Sequence, residues 1–293
     1  MPGLVPPCPD RRKAHLPCGR NAGSRIIAML QQAFAPLLDL IYPPRCPLCG
    51  EGVGVQGGLC ASCWGELVQP AEASCGFCQL PLDGNDGHTA LVCASCRARP
   101  PEHDGITAAT LYTDAARKLV IAFKHGRKIA LAPMLARLIA TRLPELQGEW
   151  VAVPVPLHRW RLWQRGFNQS ALLANELARQ RGMTLMVDGL LRLRNTRSLS
   201  QGRLTRNERA RSLAGTIGAN PARVGALQDA QVLLVDDVIT SGATTAACLA
   251  ALRSAGVRKV RIACFSRVLD EALSPAARAT TQDAREYSPR ASA

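Results

Sequence analysis

The chain has 293 residues, with 36 lysines and arginines against 22 aspartates and glutamates, so its formal net charge is +14. Hydrophobic residues make up 47% of it, which suffices for a packed core in one large or two small domains and argues against a wholly disordered chain. No run of about 18 apolar residues is present, so we expect no membrane insertion. The first residues lack an apolar stretch followed by a small-residue cleavage site, and we therefore expect no secretory signal.

The two ends of the chain differ in composition from its middle. Residues 1–23 are rich in proline, glycine and arginine, and residues 269–293 in alanine, arginine, serine and proline, so both are expected to be disordered tails. Met29 is an alternative start. Between residues 25 and 41 apolar side chains recur at helical spacing, which predicts a short amphipathic helix. With the cysteine-rich region that follows, this helix belongs to a predicted first domain, residues 24–99.

Eight cysteines form four C-x-x-C pairs in residues 45–97. The pairs are Cys46 with Cys49, Cys60 with Cys63, Cys75 with Cys78, and Cys93 with Cys96. Two such pairs complete a tetrahedral four-thiolate site that has no open position for catalysis, so the spacing predicts two structural Zn²⁺ ions. An iron–sulfur centre is the main alternative. The spacing suits metal ligation in a reducing compartment better than a disulfide framework, and we expect a cytoplasmic protein.

The four pairs can be connected in two ways. Sequential connection joins the first two pairs on one ion and the last two on the other, whereas interleaved connection exchanges the middle pairs. The sequential form is favoured because each half then closes a short local loop. Gly50 and Gly76 are expected to supply left-handed turns in the knuckles. Two arginines against five acids in this region favour a scaffold or partner surface over contact with DNA.

Residues 104–268 alternate between strand-like and helical segments, which predicts an α/β domain with a parallel sheet flanked by helices. The predicted strands are Ile106–Tyr112, Trp150–Val155, Val232–Val235 and Val260–Phe265. The predicted helices are Lys118–Lys124, Leu131–Arg142, Gln169–Gln180 and Ala243–Ser254, the last followed by a capping glycine, Gly256.

Positive charge is concentrated in residues 155–225, which contain 13 arginines and three acids. Such a segment favours an anionic ligand, such as nucleic acid, pyrophosphate or a phosphorylated sugar. A solvated basic surface is the alternative.

The most informative segment is VLLVDDVITSGAT, residues 232–244. A buried strand leads to two adjacent carboxylates, Asp236 and Asp237, which suit the hydroxyls of a sugar or a Mg²⁺ ion. A short loop then opens a helix, whose unpaired N–H groups suit a phosphate. The loop and first turn contribute hydroxyls and small residues: Thr240, Ser241, Gly242, Ala243 and Thr244. The segment predicts a sugar 5-phosphate site at the carboxyl end of the sheet; a solvated strand end with a helix cap is the alternative.

This segment resembles the phosphoribosyl pyrophosphate (PRPP) motif of type I phosphoribosyltransferases. From about residue 40 to residue 267 the chain also resembles the ComF family, named for competence protein F. Three further features carry that resemblance: the cysteine region after PPRC (43–46), the segment VPVPLHRWRLWQRGFNQS (153–170), and the segment RNTRSLSQGRLTRNERAR (194–211). The resemblance implies a type I phosphoribosyltransferase-like fold preceded by a small zinc-ribbon-like module.

The resemblance also implies roles for individual residues. Asp236 and Asp237 would bind the ribose hydroxyls of PRPP, with Mg²⁺, and residues 240–244 its 5-phosphate. Residues 194–211 match a mobile hood loop with Gln201 as its polar residue, and Lys124 matches a family position. The loop after the strand at 151–155 would face the pyrophosphate through Leu157, His158, Arg159 and Arg165.

Two functions follow from these features. The first is enzymatic: pyrophosphate at C1 of PRPP is displaced by an unknown nitrogen acceptor, with Asp237 a candidate base by proximity alone. The second is non-catalytic binding of single-stranded DNA during uptake or processing, with other DNA-uptake or recombination proteins as partners. Trp160, Trp163 and Phe167 alternate with arginines, as in proteins that bind single strands; packing of these rings beneath the loop is the alternative.

Overall fold

The structure is a computed structural model, and it describes residues 43–82, 92–124, 128–194 and 215–269. The predicted tail at 1–23, the predicted helix at 25–41, Gln201 and all but the first residue of the tail at 269–293 lie outside these ranges. The described residues from Arg45 onward belong to one compact unit. Within the described ranges, no helix has the length and apolar character needed to cross a membrane.

Seven strands are present in the described residues: β1 (Ile106–Leu111), β2 (Trp150–Pro154), β3 (Thr184–Leu185), β4 (Leu190–Arg192), β5 (Ile217–Ala219), β6 (Gln231–Ile239) and β7 (Lys259–Arg267). The helices described are α1 (Ala61–Gly65), α2 (Ala94–Ala98), α3 (Asp114–Lys124), α4 (Ala132–Arg142), α5 (Arg159–Arg165), α6 (Gln169–Arg181), α7 (Val224–Leu227) and α8 (Ala243–Ser254). Short 3₁₀ turns at Ile129–Leu131 and Pro221–Arg223 precede α4 and α7.

A five-stranded sheet has the order β1-β7-β6-β2-β3, and every neighbouring pair in it is parallel. Strands β4 and β5 form a separate antiparallel pair. The predicted parallel α/β sheet is therefore confirmed. One boundary matters for the site: β6 was expected to end at Val235 but continues to Ile239, because β7 stays paired with it as far as Arg267.

The sheet is covered on both faces, and each face has its own apolar core. On one face α3, α4 and α6 bury large side chains against the sheet, including Phe123, Leu135, Ile139, Leu173 and Leu177. On the other face α8, α7 and the β4–β5 pair do the same with Leu190, Leu227, Cys248 and Leu252. This sandwich leaves the carboxyl ends of the strands as the place where loops are free to form a site.

The chain leaves β6 and β2 in opposite directions. Strand β6 is followed by α8 and then β7, its neighbour on one side, whereas β2 is followed by α6 and then β3 on the other side. The connections diverge at this point and leave a crevice between the two strand ends. In open parallel sheets such a switch point is where ligands bind.

The cysteine region is built as two similar ribbons. An isolated antiparallel bridge joins Arg45 to Gly52 in the first ribbon, and a second joins Ser74 to Pro81, 29 positions later, in the second ribbon. In each ribbon the first cysteine pair lies on this bend and the second pair lies at the start of a short helix, α1 or α2.

A left-handed residue follows the first cysteine pair of each ribbon. In the first ribbon it is Gly50, with a φ of 81°, and in the second it is Gln79, with a φ of 54°. Gly76 does not have a positive φ, so the prediction for that glycine was wrong. The turn falls after the C-x-x-C pair rather than inside it, because the amide of this residue closes the knuckle on the carbonyl of the first cysteine.

The ribbons cover the free edge of the sheet at β1. The main-chain N–H groups of Ile106 and Leu111 donate to the carbonyls of Phe77 (3.0 Å) and Val68 (2.7 Å), and the N–H of Ala108 donates to Gln79 Oε1 (2.8 Å). An edge strand with unpaired N–H groups is a template for aggregation, and here these groups are satisfied from the cysteine region. The approach is close: at Gly105, with a φ of 128°, a Cβ atom would lie 2.9 Å from the carbonyl oxygen of Gly76.

We expect loss of the second ribbon to destabilise the whole compact unit. Cys78→Ser should release Phe77 and Gln79 from β1, with a cost of about 2 kcal/mol from hydrogen bonds alone and a fall in Tm of ~4–8 °C. The first ribbon does not contain these two residues, so Cys49→Ser is the matched variant and should cost less. Thermal unfolding, with light scattering to detect edge-to-edge association, measures both effects. Equal losses in the two variants would contradict the edge-covering role.

Candidate functional site

Two adjacent carboxylates lie in the part of β6 that extends beyond the end of β2. The last link between these strands is the hydrogen bond from the Val155 N–H to the Val235 carbonyl, 2.9 Å, and Asp236 and Asp237 follow beyond it. Burial, with the neighbouring charge of Asp237 adding to it, raises the pKa of Asp236 to about 7. Two carboxylates crowded in this way favour a bound cation or the hydroxyl donors of a ligand.

Side chains from two helices compensate the carboxylate pair. Lys124, the last residue of α3, forms an ion pair with Asp237, with 2.9 Å between Nζ and Oδ2. Ser170, in the first turn of α6, donates a hydrogen bond from its hydroxyl to Asp236 Oδ1 (2.9 Å). The Asp237 N–H donates to the same oxygen of Asp236 (2.9 Å). The pair is thus held from α3 and α6 at once.

The segment RGFNQS, residues 165–170, ties this arrangement together. Asn168 caps α6 by accepting from the Ser170 N–H, and its amide donates to the Val155 carbonyl at the end of β2. Gln169 is 2% exposed; it accepts from Arg165 Nη1 (3.3 Å) and donates to the Lys124 carbonyl (3.4 Å). One buried glutamine therefore links the side chain of Arg165 to the main chain at Lys124.

A cavity of about 440 Å³ opens in front of the carboxylates. Three arginines line it: Arg161 and Arg165, which follow β2, and Arg192, which ends β4. Burial lowers the pKa of Arg165 and of Arg192, since desolvation disfavours their charge, although Asp237 opposes the shift at Arg165. Guanidinium groups that have lost water and lie near one another favour a dense anion such as pyrophosphate.

The loop after β6 and the start of α8 border the same cavity. Thr240 and Thr244 line the cavity, and Gly242 adopts a left-handed φ of 73° as the residue before α8. No described side chain caps this helix, so its first N–H groups are available to a ligand. A twelve-residue helix whose amino end is open in this way suits a phosphate.

Some of the predicted site residues line the cavity, and others do not. Asp236, Asp237, Thr240, Thr244, Leu157 and Arg165 line one cavity, whereas Ser241, Gly242 and Ala243 form the turn that leads into α8. His158 instead caps α5, accepting from the Trp160 N–H through Nδ1 (3.2 Å), and Arg159 is exposed at the start of that helix.

Sequence reasoning missed part of the lining. Arg192 and Tyr112 lie far from the motifs in sequence, and Arg161 was not among the residues predicted to face the pyrophosphate. Ser170 and Gln169 belong to the segment 153–170 that carries the family resemblance, but the sequence predicted no role for either. Their spacing does not show which carboxylate or cation they contact.

The outward side of α5 carries an exposed aromatic pair. Trp160 is 57% and Trp163 77% exposed, and their rings stack with centroids 5.3 Å apart. Phe167 differs, because it packs against Phe123 with centroids 6.4 Å apart. The alternative that the rings pack beneath the loop therefore holds for Phe167 and fails for the two tryptophans.

The eight cysteines form two clusters that fit zinc. The Sγ atoms of Cys46, Cys49, Cys60 and Cys63 lie within 4.8 Å of one another, and so do those of Cys75, Cys78, Cys93 and Cys96. This is the spacing of a tetrahedral four-thiolate site, and the connection is sequential, as favoured. Burial opposes ionisation of Cys46, but main-chain hydrogen bonds from Cys60, Cys49 and Leu48 lower its pKa to about 6. The corresponding bonds lower the pKa of Cys75 to about 7.

Comparison with known proteins agrees with both parts of the structure. Residues 37–97 match the family model of the double zinc ribbon domain, and residues 168–286 match that of the phosphoribosyl transferase domain. The fold and its crevice thus define a phosphoribosyltransferase-like protein preceded by a double zinc ribbon.

Relatives extend the match to most of the chain. DNA utilization protein YhgH of Salmonella typhi is 31% identical over 237 residues, which are 78% of this chain and 100% of the relative. Competence protein F of Haemophilus influenzae is 29% identical over 229 residues, 74% of this chain and 94% of the relative. The chain belongs to the ComF family.

A solved chain titled structure of the allosteric regulatory enzyme of purine biosynthesis is 18% identical, with a TM-score of 0.30. The match covers 45% of this chain and 25% of that one.

Gln169→Leu should weaken binding of pyrophosphate about tenfold, because Arg165 loses a hydrogen bond that holds it against the cavity. Gln180→Leu is the matched control: Gln180 lies on the same helix and also donates to a main-chain carbonyl, that of Pro133, but lies away from the cavity. Calorimetric titration of both variants with magnesium pyrophosphate measures the difference. Equal affinities would show that Gln169 does not position the arginine.

Proposed function

We propose that this protein binds PRPP with Mg²⁺ at the crevice between β6 and β2 and transfers its phosphoribosyl group to a nitrogen acceptor in DNA utilisation. The observation that carries the proposal is the carboxylate pair of Asp236 and Asp237, with a cationic wall on one side and an open helix N-terminus beside it. PRPP carries a phosphate and a pyrophosphate on one ribose, and this cavity is lined by arginines, by the two carboxylates and by threonines next to the open start of α8. The names of the relatives support the setting in DNA utilisation, and the eight thiols fit the cytoplasm.

In this proposal each group of the ligand has its own partners. Thr240, Thr244 and the N–H groups of α8 bind the 5-phosphate, and the carboxylates accept hydrogen bonds from the ribose hydroxyls. Asp236 and Asp237 also offer the hard oxygen donors that hold Mg²⁺, which supplies positive charge to the leaving pyrophosphate.

The reaction itself requires little covalent chemistry from the protein. Positive charge develops at C1 as the C1–O bond breaks, and negative charge develops on the departing pyrophosphate. The three arginines stabilise that negative charge, and they are already oriented before the reaction, which is how such groups lower a barrier. Lys124 holds Asp237 in place beside the ribose.

Asp236→Asn combined with Asp237→Asn should weaken PRPP binding at least about 100-fold, because two charge-assisted hydrogen bonds to the ribose are lost. Asp229→Asn is the matched control. Asp229 is exposed, lies two residues before the start of β6, and has a left-handed φ of 57° that asparagine tolerates. Calorimetry with Mg²⁺ and PRPP on zinc-replete protein measures both. Unchanged affinity in the double variant would refute the site.

A second candidate function is the binding of single-stranded DNA on the outer side of α5. The exposed and stacked Trp160 and Trp163, with Arg159 exposed on the same helix, combine aromatic platforms with positive charge. Because Arg161 and Arg165 line the cavity instead, DNA on this surface need not compete with PRPP.

Trp160→Ala with Trp163→Ala should weaken binding of an oligothymidylate at least about fivefold and leave PRPP affinity unchanged, since base stacking on each ring is lost. Trp64→Ala removes an exposed tryptophan from α1 in the first ribbon and is the control. Fluorescence anisotropy over a salt series measures the affinity and its electrostatic part. Oligothymidylate affinity that is the same in all three proteins would exclude this surface.

A further inference from the structure

One residue of the sheet reaches a metal-binding cysteine of the second ribbon. Arg267, the last residue of β7, donates from Nη1 to the carbonyl of Cys78, which lies 189 positions earlier in the chain. Cys78 belongs to the second four-thiolate cluster, whose Sγ atoms have the spacing of a zinc site. The equivalent cysteine of the first ribbon is Cys49, which is exposed.

A cation beside the second cluster is favourable for electrostatic reasons. Four thiolates around one Zn²⁺ carry net negative charge, and Arg267 is half-buried next to them. Outer contacts of this kind also fix the orientation of the metal ligands, and they are worth about 10- to 100-fold in metal affinity. The first ribbon has its own arginine, Arg45, which is exposed and donates to the Gly50 carbonyl within the ribbon (3.1 Å). The two clusters therefore have different partners: one arginine comes from the ribbon itself, and the other comes from the sheet.

Arg267 also joins the two strand ends that carry residues of the cavity. Its carbonyl accepts from the N–H of Tyr112, which follows β1 and lines the cavity (2.9 Å). It is in register with Ile239, the last residue of β6, and the N–H of Val268 donates to the Ile239 carbonyl (2.9 Å). Thr240, the next residue after β6, lines the same cavity. Arg267 thus contacts a metal-binding knuckle through its side chain and the ends of β1 and β6 through its main chain.

We infer that Arg267 is a positioning residue that couples the second zinc site to the crevice, so that zinc in the second ribbon and an anionic ligand at the carboxyl end of the sheet strengthen each other's binding. Without the metal the knuckle loses its shape and Arg267 loses its acceptor, and the ligand must then order the strand ends at a cost in affinity. The coupling is reciprocal, because both binding equilibria are linked through one element. Zinc in the first ribbon is independent of the ligand. The identity of the ligand rests on the proposed function, and PRPP with Mg²⁺ is the probe.

Site-resolved alkylation of the full-length, zinc-replete protein tests the coupling. A zinc-selective chelator removes the metal, N-ethylmaleimide labels the released thiols, and peptide mass spectrometry gives the labelling rate of each ribbon separately. Arg267→Gln removes the charge, whereas Arg267→Lys retains the charge and one donor group. Arg45→Gln is the matched control, since it removes an arginine from the first ribbon. Each protein is also titrated with Mg²⁺ and PRPP by calorimetry.

In Arg267→Gln the second ribbon should be labelled at least about tenfold faster, with the first ribbon unchanged. PRPP affinity should fall about fivefold in this variant, and Arg267→Lys should restore most of both properties. Arg45→Gln should leave PRPP affinity and the labelling of the second ribbon unchanged. In the unchanged protein, saturating PRPP should slow labelling of the second ribbon about fivefold and leave that of the first ribbon as it was.

The protection by PRPP is measured on the unchanged protein, so this part of the test does not depend on the folding of a variant. PRPP that binds without slowing the labelling of the second ribbon would overturn the coupling and leave the proposed PRPP site standing. The same holds if the second ribbon is labelled equally fast in Arg267→Gln and in the unchanged protein. Failure of the unchanged protein to bind PRPP would refute the proposed function, and the coupling with it.

Discussion

The site depends on two carboxylates that a buried strand brings side by side at its end. Strand β6 can deliver Asp236 and Asp237 together because it stays paired with β7 after β2 has ended. Adjacent negative charges in a desolvated place are unfavourable unless other groups compensate them. The lysine at the end of α3 and the serine at the start of α6 supply this compensation. The end of α3 and the start of α6 thus both contact the same pair of carboxylates.

The same sheet explains why a metal-binding region and a ligand-binding region form one unit. A parallel sheet has free edges, and β1 is the edge at which the chain enters. The cysteine ribbons satisfy the N–H groups of this edge through Phe77, Gln79 and Val68, which makes the metal clusters a structural part of the sheet. Because Tyr112 directly follows β1, the ribbons also support the strand that positions this cavity residue.

The functional proposals follow from the asymmetry of the crevice. Arginines come from the segment after β2 and from β4, an aromatic ring comes from the end of β1, and hydroxyls lie beside the open start of α8. A ligand with a phosphate and a pyrophosphate joined through a ribose matches the arginines and the open helix end. The exposed tryptophans on α5 face outward from this arrangement, so a nucleic-acid surface and a nucleotide-like site can exist on one short helix.

The sequence by itself determined the parallel α/β class, the helix at Ala243–Ser254, the metal-ligand set and the segment of the carboxylate pair. These features depend on local properties: apolar periodicity, the reach of a C-x-x-C pair, and the order of strand, acids and small residues. Only the tertiary structure decided that β6 continues to Ile239, that Arg161 and Arg192 line the cavity while His158 and Arg159 do not, and that Tyr112 lines the same cavity as the two carboxylates. The reason is physical: which side chains meet at a crevice depends on strand order, on where a neighbouring strand ends and on the rotation of a helix about its axis, and a linear pattern specifies none of these.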